Sequence, residues 1–444
     1  MLESYRQLFR ELERRGIRYA IWKSLELWEA QIAGVGDIDV IFDPDQESAV
    51  ADTLCDMCFV EDLESPDRIG ERIKVYRGFD CASLKHETIH AHFGCWFGSK
   101  RYKEFTFPNT QELFDKAFRV SGVFRISQGH FIVTRILIVA LRRTYQDSYV
   151  CELARGYEEL SDANRGIVDT HLGHFFGISV RELMGRIGEG EITALEEVRG
   201  RALEQMEKEC PFFNIQKKVK AENIPKSFWK NRFVGILGGK RNKLGAPIAI
   251  MFAGHDGAGK STAARNLQKA VSKVAMTKCM YLGRRSWKWP NSWINLQRQK
   301  EGLSRTLNLI WPFCSTLEII CRVFMGRFLV KMGFIVIYDR SIYDLQIKWR
   351  RSPRKIGSWF PLWISRRWAG RPEADLCYLL VADPQAVKKR QFDASESSEM
   401  IADLAEKYKK ELGDWFVTID TTEIPEDDLV RRVMSDIFKF AAKV

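Results

Sequence analysis

Apolar positions follow two different patterns along this chain. Over residues 2–15 they recur at helical spacing, which predicts an amphipathic first helix. Residues 18–22 and 38–42 are short, apolar and bounded by polar residues, and read as strands. From about 120 to 210 the pattern is helical: 131–141 is strongly apolar, and 180–208 carries helix formers of mixed charge. Beyond 247 the apolar residues come in short unbroken runs at 248–253, 334–338, 376–381 and 416–419. Runs of this kind alternating with helical segments predict parallel strands buried on both faces.

Between these regions lies QKKVKAENIPKSFWKNRFVGILGGKRNKLGAP, rich in Lys, Arg, Gly and Pro. Such composition marks a domain boundary. The expected division is 1–120, a helical domain over 121–210, a basic linker over 211–246, and an α/β domain over 247–444. No internal repeat or low-complexity tract interrupts it.

Composition narrows the class. Charged residues make up 29% and apolar residues 45% of the 444, a balance that excludes wholesale disorder. The longest uncharged apolar stretch, 306–317, stops at Glu318, so no transmembrane helix is expected. The charged N-terminus lacks the apolar stretch of a secretory signal. The ten cysteines are scattered, and only Cys55 and Cys58 form a C-x-x-C, so reduced thiols and a cytoplasmic location are expected. A net charge of +11 favours anionic partners without choosing among nucleotides, sugar phosphates, nucleic acid and acidic membrane.

The strongest chemical signal is Gly254-His255-Asp256-Gly257-Ala258-Gly259-Lys260-Ser261, which satisfies G-x-x-x-x-G-K-[ST] between a strand and a helix. Gly254, Gly257, Ala258 and Gly259 let backbone N–H groups turn inward around a phosphate chain. Lys260 supplies a positive charge to the β- and γ-phosphates, and the Ser261 hydroxyl is a ligand for Mg²⁺. The helix starting near Thr262 adds its positive end. The expectation is NTP binding.

FAGHDGAGKST resembles the P-loop of the thymidylate kinase family. Further features fall in that family's order. Asp339-Arg340 ends GFIVIYDRSIYD and resembles the DR[YH] segment; Pro372 and Asp375 resemble its P-D element; 386–390 resembles the start of its lid; and Tyr408 and Asp420 sit where its last helix and strand fall. The resemblance covers about 247–444 and implies a P-loop NTPase sheet, ATP and Mg²⁺. It implies that Asp339 holds Mg²⁺ or its water shell and that Arg340 grips an anionic acceptor. Asp256 would orient the acceptor, and Arg390, with Lys388 and Lys389, would neutralise the transferred phosphoryl as a lid closes. Ser341 departs from the family, replacing the aromatic residue after DR. The stretch 281–327, where a nucleobase pocket should be shaped, is long, aromatic and basic.

In the first domain, the spacing from Ser24 to Asp37 fits a nucleotidyltransferase pattern of a small-residue turn followed by D-x-D on a strand. Alternation puts Asp37 and Asp39 on one face, where they can hold Mg²⁺ and an incoming NTP. WKSLEL, GDIDVIFD and IHAHFGCWF resemble an uncharacterised bacterial nucleotidyltransferase family over roughly 5–150, which implies an α+β domain with a helical extension. Here Ser24 stands in place of Gly, and His90 in place of a carboxylate, with Asp80 or Glu87 as substitutes. That exchange points to a domain weakened in catalysis and retained for binding. His86, His90 and His92 are either a metal cluster or structural strand histidines.

Residues 348–368, KWRRSPRKIGSWFPLWISRRW, interleave Arg and Lys with Trp and Phe. Three readings compete: peripheral contact with an anionic membrane, stacking on bases or sugars, and a packed loop with a solvated rim. The sequence as a whole points to an ATP- and Mg²⁺-dependent phosphotransferase acting on a small acceptor, a nucleotide, sugar or polyol. By resemblance it is coupled to a nucleotidyltransferase step in bacterial surface-polysaccharide precursor synthesis. The competing functions are a nucleotide or polynucleotide kinase and an ATP-binding switch that phosphorylates no acceptor.

Overall fold

The computed structural model describes residues 1–23, 27–63, 65, 72–97, 105–141, 147–209, 242–283, 304–344, 347, 363, 374–390 and 397–444. Ser24, Pro372, most of the 211–246 linker, residues 391–396 and all of 348–368 except Trp363 lie outside them. The chain divides into two compact units, Met1–Phe228 and Trp229–Val444.

The first unit is built on a mixed sheet. Its strands are β1 (Tyr19–Ile21), β2 (Ile38–Phe42), β3 (Val60–Glu61), β4 (Ile73–Asp80), β5 (Lys85–Phe93), β8 (Phe118–Val120) and β9 (Val123–Arg125), in the order β3-β4-β5-β2-β1-β9-β8. A separate pair, β6 (Trp96–Phe97) and β7 (Phe105–Thr106), lies beside it in sequence. Strand alternation splits the apolar residues between two cores. Ile38, Val40 and Phe42 of β2 pack with Tyr5, Leu8 and Leu12 of the helix Glu3–Arg14. Ala20, Trp22 and Ile41 face the other way, into a core shared with the helices Gln128–Leu141, Asp162–Phe176, Val180–Gly188 and Ala194–Glu209. The region read from sequence as a helical domain over 121–210 therefore supplies β9 to this sheet, and its helices pack on one face of it.

The helix boundaries follow capping chemistry. Ser161 and Ser179 accept from the backbone N–H of Asn164 and Glu182, and Gly177 ends the helix Asp162–Phe176 at φ +64°.

The second unit carries an all-parallel sheet of β10 (Ala249–Gly254), β11 (Thr277–Tyr281), β12 (Ile335–Asp339), β13 (Leu376–Val381) and β14 (Val417–Asp420). The order β11-β12-β10-β13-β14 puts the first strand in the middle. Every residue of β10 and β12 is buried, which explains their unbroken apolar runs. Met251, Val336, Tyr338 and Leu379 pack on one face with Ile319 of the helix Ser304–Lys331 and with Leu404 and Tyr408 of the helix Ser398–Leu412. The helix Lys260–Val271 packs on β10, β11 and β12 and against the C-terminal helix Glu426–Lys443. The chain winds to one side of β10 through β11 and β12 and to the other through β13 and β14. In open parallel sheets such a switch point, at the carboxyl ends of the strands, is where ligands bind. No helix among the described residues is long and apolar enough to cross a membrane.

Candidate functional site

The phosphate loop leaves β10 at Gly254, whose φ is +141° and whose Cβ, if it had one, would stand 2.1 Å from the Leu380 carbonyl oxygen. Only glycine permits the strand to end there against β13. Gly257 and Gly259 also take positive φ, and Gly259 precedes the helix Lys260–Val271, so that helix's N-terminal N–H groups open onto the loop. The Lys260 ammonium is buried. It donates to the carbonyls of Gly254 at 2.8 Å and His255 at 2.6 Å, with Asp256 Oδ1 3.9 Å away. Asp256, Gly257, Gly259, Lys260, Ser261 and Thr262, together with Arg340 and Arg390, line a cavity of about 430 Å³.

Arg340 reaches this cavity from the end of β12, the strand beside β10, and Asp339 is the last residue of that strand. Arg340 Nη1 lies 2.8 Å from Asp256 Oδ1. Burial works against the charged guanidinium, but Asp256, Tyr281 and Asp344 outweigh it, and Arg340 titrates above its ordinary value. Its guanidinium also lies 5.4 Å from the centre of the Tyr281 ring. Arg340 adopts φ +83°, an unusual backbone for a non-glycine residue. Asp339 is only 6% exposed, and its Oδ1 has no hydrogen-bond partner among the described residues.

These features fit a nucleoside triphosphate with a divalent cation. The glycine cradle leaves room for phosphate, a lysine and a helix N-terminus meet its charge, and the Asp339 oxygen asks for a cation. Ser261 is exposed and lines the cavity.

Three anchors of the loop carry no sequence motif of their own. His255 is buried; burial lowers its pKa, so it is neutral. Its Nδ1 donates to the Asp256 carbonyl at 3.0 Å, and its Nε2 accepts from the Ala382 N–H at 3.1 Å. The Thr421 hydroxyl shares its proton between the carbonyls of Ala258 and Val381, each 3.1 Å away. Asp344 accepts from the N–H groups of Ser341 at 3.1 Å and Gly254 at 3.4 Å. In return the Ser341 hydroxyl accepts from the Asp344 N–H at 3.1 Å. Ser341 and Asp344 thus form a reciprocal cap, which gives a local reason for a small hydroxyl residue after Asp339-Arg340.

Other residues of the resemblance have structural work. Asp375 joins β13 to β10 by accepting from the Ala249 N–H at 2.8 Å. Asp420 accepts from the N–H and hydroxyl of Thr422. Tyr408 is in the core. Arg390 ends the helix Pro384–Arg390 and donates to the carbonyls of Thr421 at 2.6 Å and Thr422 at 3.2 Å, so it is held beside the loop after β14.

The chain is similar to solved nucleotide and deoxynucleoside kinases. A thymidylate kinase from Candida albicans matches 43% of this chain and 90% of its own, at 16% identity and a TM-score of 0.31. A thymidylate kinase from Ehrlichia chaffeensis matches 43% of this chain and 97% of its own, at 18% identity and a TM-score of 0.30. A deoxyadenosine kinase from M. mycoides matches 43% of this chain and 98% of its own, at 13% identity and a TM-score of 0.29. No protein-family model and no curated protein matches the chain.

In the first unit, β2 and β5 run parallel with Asp39 opposite His90, and alternation brings Asp39, His90 and His92 to one face. His92 Nε2 lies 2.8 Å from Asp39 Oδ1, and the Lys23 ammonium lies 3.0 Å from the same oxygen. His90 lies between the two acids, 3.6 Å from Asp39 Oδ1 and 3.5 Å from Asp37 Oδ2. Burial would raise the Asp39 carboxyl, but Lys23, His90 and His92 outweigh it and hold it well below its ordinary range. Burial and the Lys23 charge push His92 down to about 3, so it is neutral at pH 7. The cluster thus carries its own cation. Asp80 and Glu87, the expected substitutes for the missing carboxylate, turn instead to Ser4 of the first helix. His86 packs against Phe79, and Asp39 is held by His90 and His92 alone of the three histidines.

Proposed function

We propose that the second unit transfers the γ-phosphoryl of ATP to a small acceptor. One observation carries this: a single carboxylate oxygen, Asp256 Oδ1, lies 2.8 Å from Arg340 and 3.9 Å from Lys260. Lys260 belongs to the phosphate loop and Arg340 to the neighbouring strand end, so donor-side and acceptor-side cations meet across one anion. A switch that only binds ATP has no use for the second cation.

Gly254, Gly257, Ala258 and Gly259 shape the loop, and Lys260 with the helix N-terminus at Ser261 and Thr262 receives the phosphate charge. Asp339 and Ser261 are the residues that would hold Mg²⁺, which supplies charge neutralisation on the phosphates. Arg340 binds the acceptor's anionic or hydroxyl end, and Asp256 orients it, accepting the proton where the attacking group is a hydroxyl. Arg390, tied to the Thr421 and Thr422 carbonyls, lines the same cavity.

We propose a binding role for the first unit. Supporting it, the Lys23 ammonium already meets Asp39, and His90 stands where a third carboxylate would complete a two-metal site. A nucleotide bound there without metal, and a coupled step in surface-polysaccharide precursor synthesis, belong to this proposal.

The test is transfer from γ-labelled ATP with Mg²⁺ to a panel of nucleoside monophosphates, sugars, sugar phosphates, polyols and oligonucleotides. Acceptor-dependent turnover lost in Lys260→Ala is the expected result. Undiminished turnover in that variant overturns the kinase assignment. Acceptor-independent hydrolysis altered by a protein partner favours the switch instead.

A further inference from the structure

Away from both sites, three helices of the first unit bring Glu112, His130 and His171 together, with one ligand atom from each within 4.8 Å of the others. Glu112 lies in the first turn of the helix Thr110–Asp115, His130 in the helix Gln128–Leu141 and His171 in the helix Asp162–Phe176. We propose that these three side chains bind Zn²⁺.

The spacing carries the proposal. Glu112 Oε1 is 3.4 Å from both His130 Nε2 and His171 Nε2, and Glu112 Oε2 is also 3.4 Å from His171 Nε2. Hydrogen bonds of this type centre near 2.9–3.0 Å, so all three are long for direct bonds. Ligand atoms on a tetrahedral Zn²⁺ with bonds of about 2.0–2.1 Å stand about 3.3 Å apart. The separation matches one edge of that tetrahedron.

A second, independent observation concerns His130. The residue is fully buried, and its Nε2 has no hydrogen-bond partner among the described residues. A buried imidazole nitrogen is normally satisfied. The opposite nitrogen, Nδ1, is 2.8 Å from the Ser127 hydroxyl, which is the arrangement that orients a metal-ligating histidine through its far side. Phe107 packs edge-on against His130 and tilted against His171, fixing both rings.

Two nitrogens and one carboxylate suit zinc among the common divalent ions, since Mg²⁺ and Ca²⁺ prefer all-oxygen shells. Glu112 and His171 keep 27% and 19% of their side-chain surface exposed, giving the ion a way in and leaving water as the fourth ligand. The ion would tie the short helix after β7 to two helices of the core, so its binding energy would appear as stability of the first unit.

The test uses the full chain, stripped with a chelator and titrated with Zn²⁺ or Co²⁺ in the absence of ATP and Mg²⁺. The expected result is one ion per chain, a tetrahedral Co²⁺ absorption spectrum and a rise of several degrees in the thermal midpoint. His171→Ala should lose all three while keeping its circular dichroism. Glu112→Gln, which keeps its size but loses its charge, should weaken binding at least tenfold, and it reads the site should His171→Ala fail to fold. His90→Asn, at the other histidine cluster, should bind as before. Absence of stoichiometric metal in the unaltered chain, or its loss in His90→Asn and retention in Glu112→Gln, overturns the assignment.

Discussion

Arg340 and Asp256 are joined across the mouth of the phosphate loop at 2.8 Å, although they come from different strand ends. The pair is partly exposed, at 21% and 43% of its side-chain surface, so it contributes at most about 1 kcal/mol to folding. Removing Arg340 leaves Asp256 beside Lys260, still balanced. Arg340→Ala should therefore lower acceptor-dependent turnover by about 100-fold or more with little unfolding. Arg340 also holds φ +83°. Arg340→Gly should be equally inactive and about 1 kcal/mol more stable than Arg340→Ala in urea titration. Equal stability would mean that the backbone there is unstrained.

Asp339 separates stability from activity. Its Oδ1 is buried without a hydrogen-bond partner among the described residues. Such an oxygen costs stability until a cation meets it. Asp339→Asn should raise the thermal midpoint measured without Mg²⁺ while cutting turnover by about 100-fold and raising the Mg²⁺ needed for half-maximal rate. Loss of both stability and activity would make Asp339 a structural residue.

Glu87 gives the first unit a pH dependence. Burial pushes its carboxyl up to about 8, reinforced by Asp80, against the Ser4 hydrogen bond that lowers it. Ser4 has one hydroxyl proton, and Asp80 Oδ1 at 3.1 Å can take it. A protonated Glu87 then donates to Ser4. The unfolded carboxyl titrates near 4.5, so between that pH and about 8 the folded chain holds a proton that the unfolded chain has lost. This contribution is complete at low pH and declines as pH rises through that window. Glu87→Gln keeps the donor and removes the titration. At pH 8 it should be more stable than the unaltered chain by about 2–4 kcal/mol, and near pH 4 the two should agree. Parallel stability curves across that range would refute the assignment.

The first unit's acids should be dispensable for phosphoryl transfer. Asp37→Asn should leave the kinase rate unchanged within about twofold, because Asp37 and Lys260 belong to separate compact units. A loss of tenfold or more in labelled-ATP turnover would show that the two activities are coupled.

The phosphate loop was readable because its chemistry needs particular residues at fixed intervals. The strands β10, β12 and β13 were readable because burial on both faces demands unbroken apolar runs, and their observed ends differ from expectation by a residue at most. Asp39 lies on β2 as its pattern indicates, whereas Asp37 falls just before that strand. Partners made by tertiary folding did not show. His255 reads as a filler inside the loop motif, and only the approach of Ala382, 127 residues away, gives it a role. Lys23 beside Asp39, and the meeting of Glu112, His130 and His171, depend likewise on packing between elements distant in sequence. The uniform helical pattern over 180–208 hid a break after Gly188, where the chain turns before Ala194.

The Thr421 hydroxyl grips the Ala258 carbonyl from 163 positions further along the chain. During synthesis the ribosome releases the glycine-rich segment long before it releases that grip. The nascent chain therefore carries the whole loop sequence before it carries the residue that holds Ala258, and the loop gains that anchor only when the final strand docks. Translation that stops short of β14 would yield a chain whose loop sequence is intact and whose Thr421 anchor is missing.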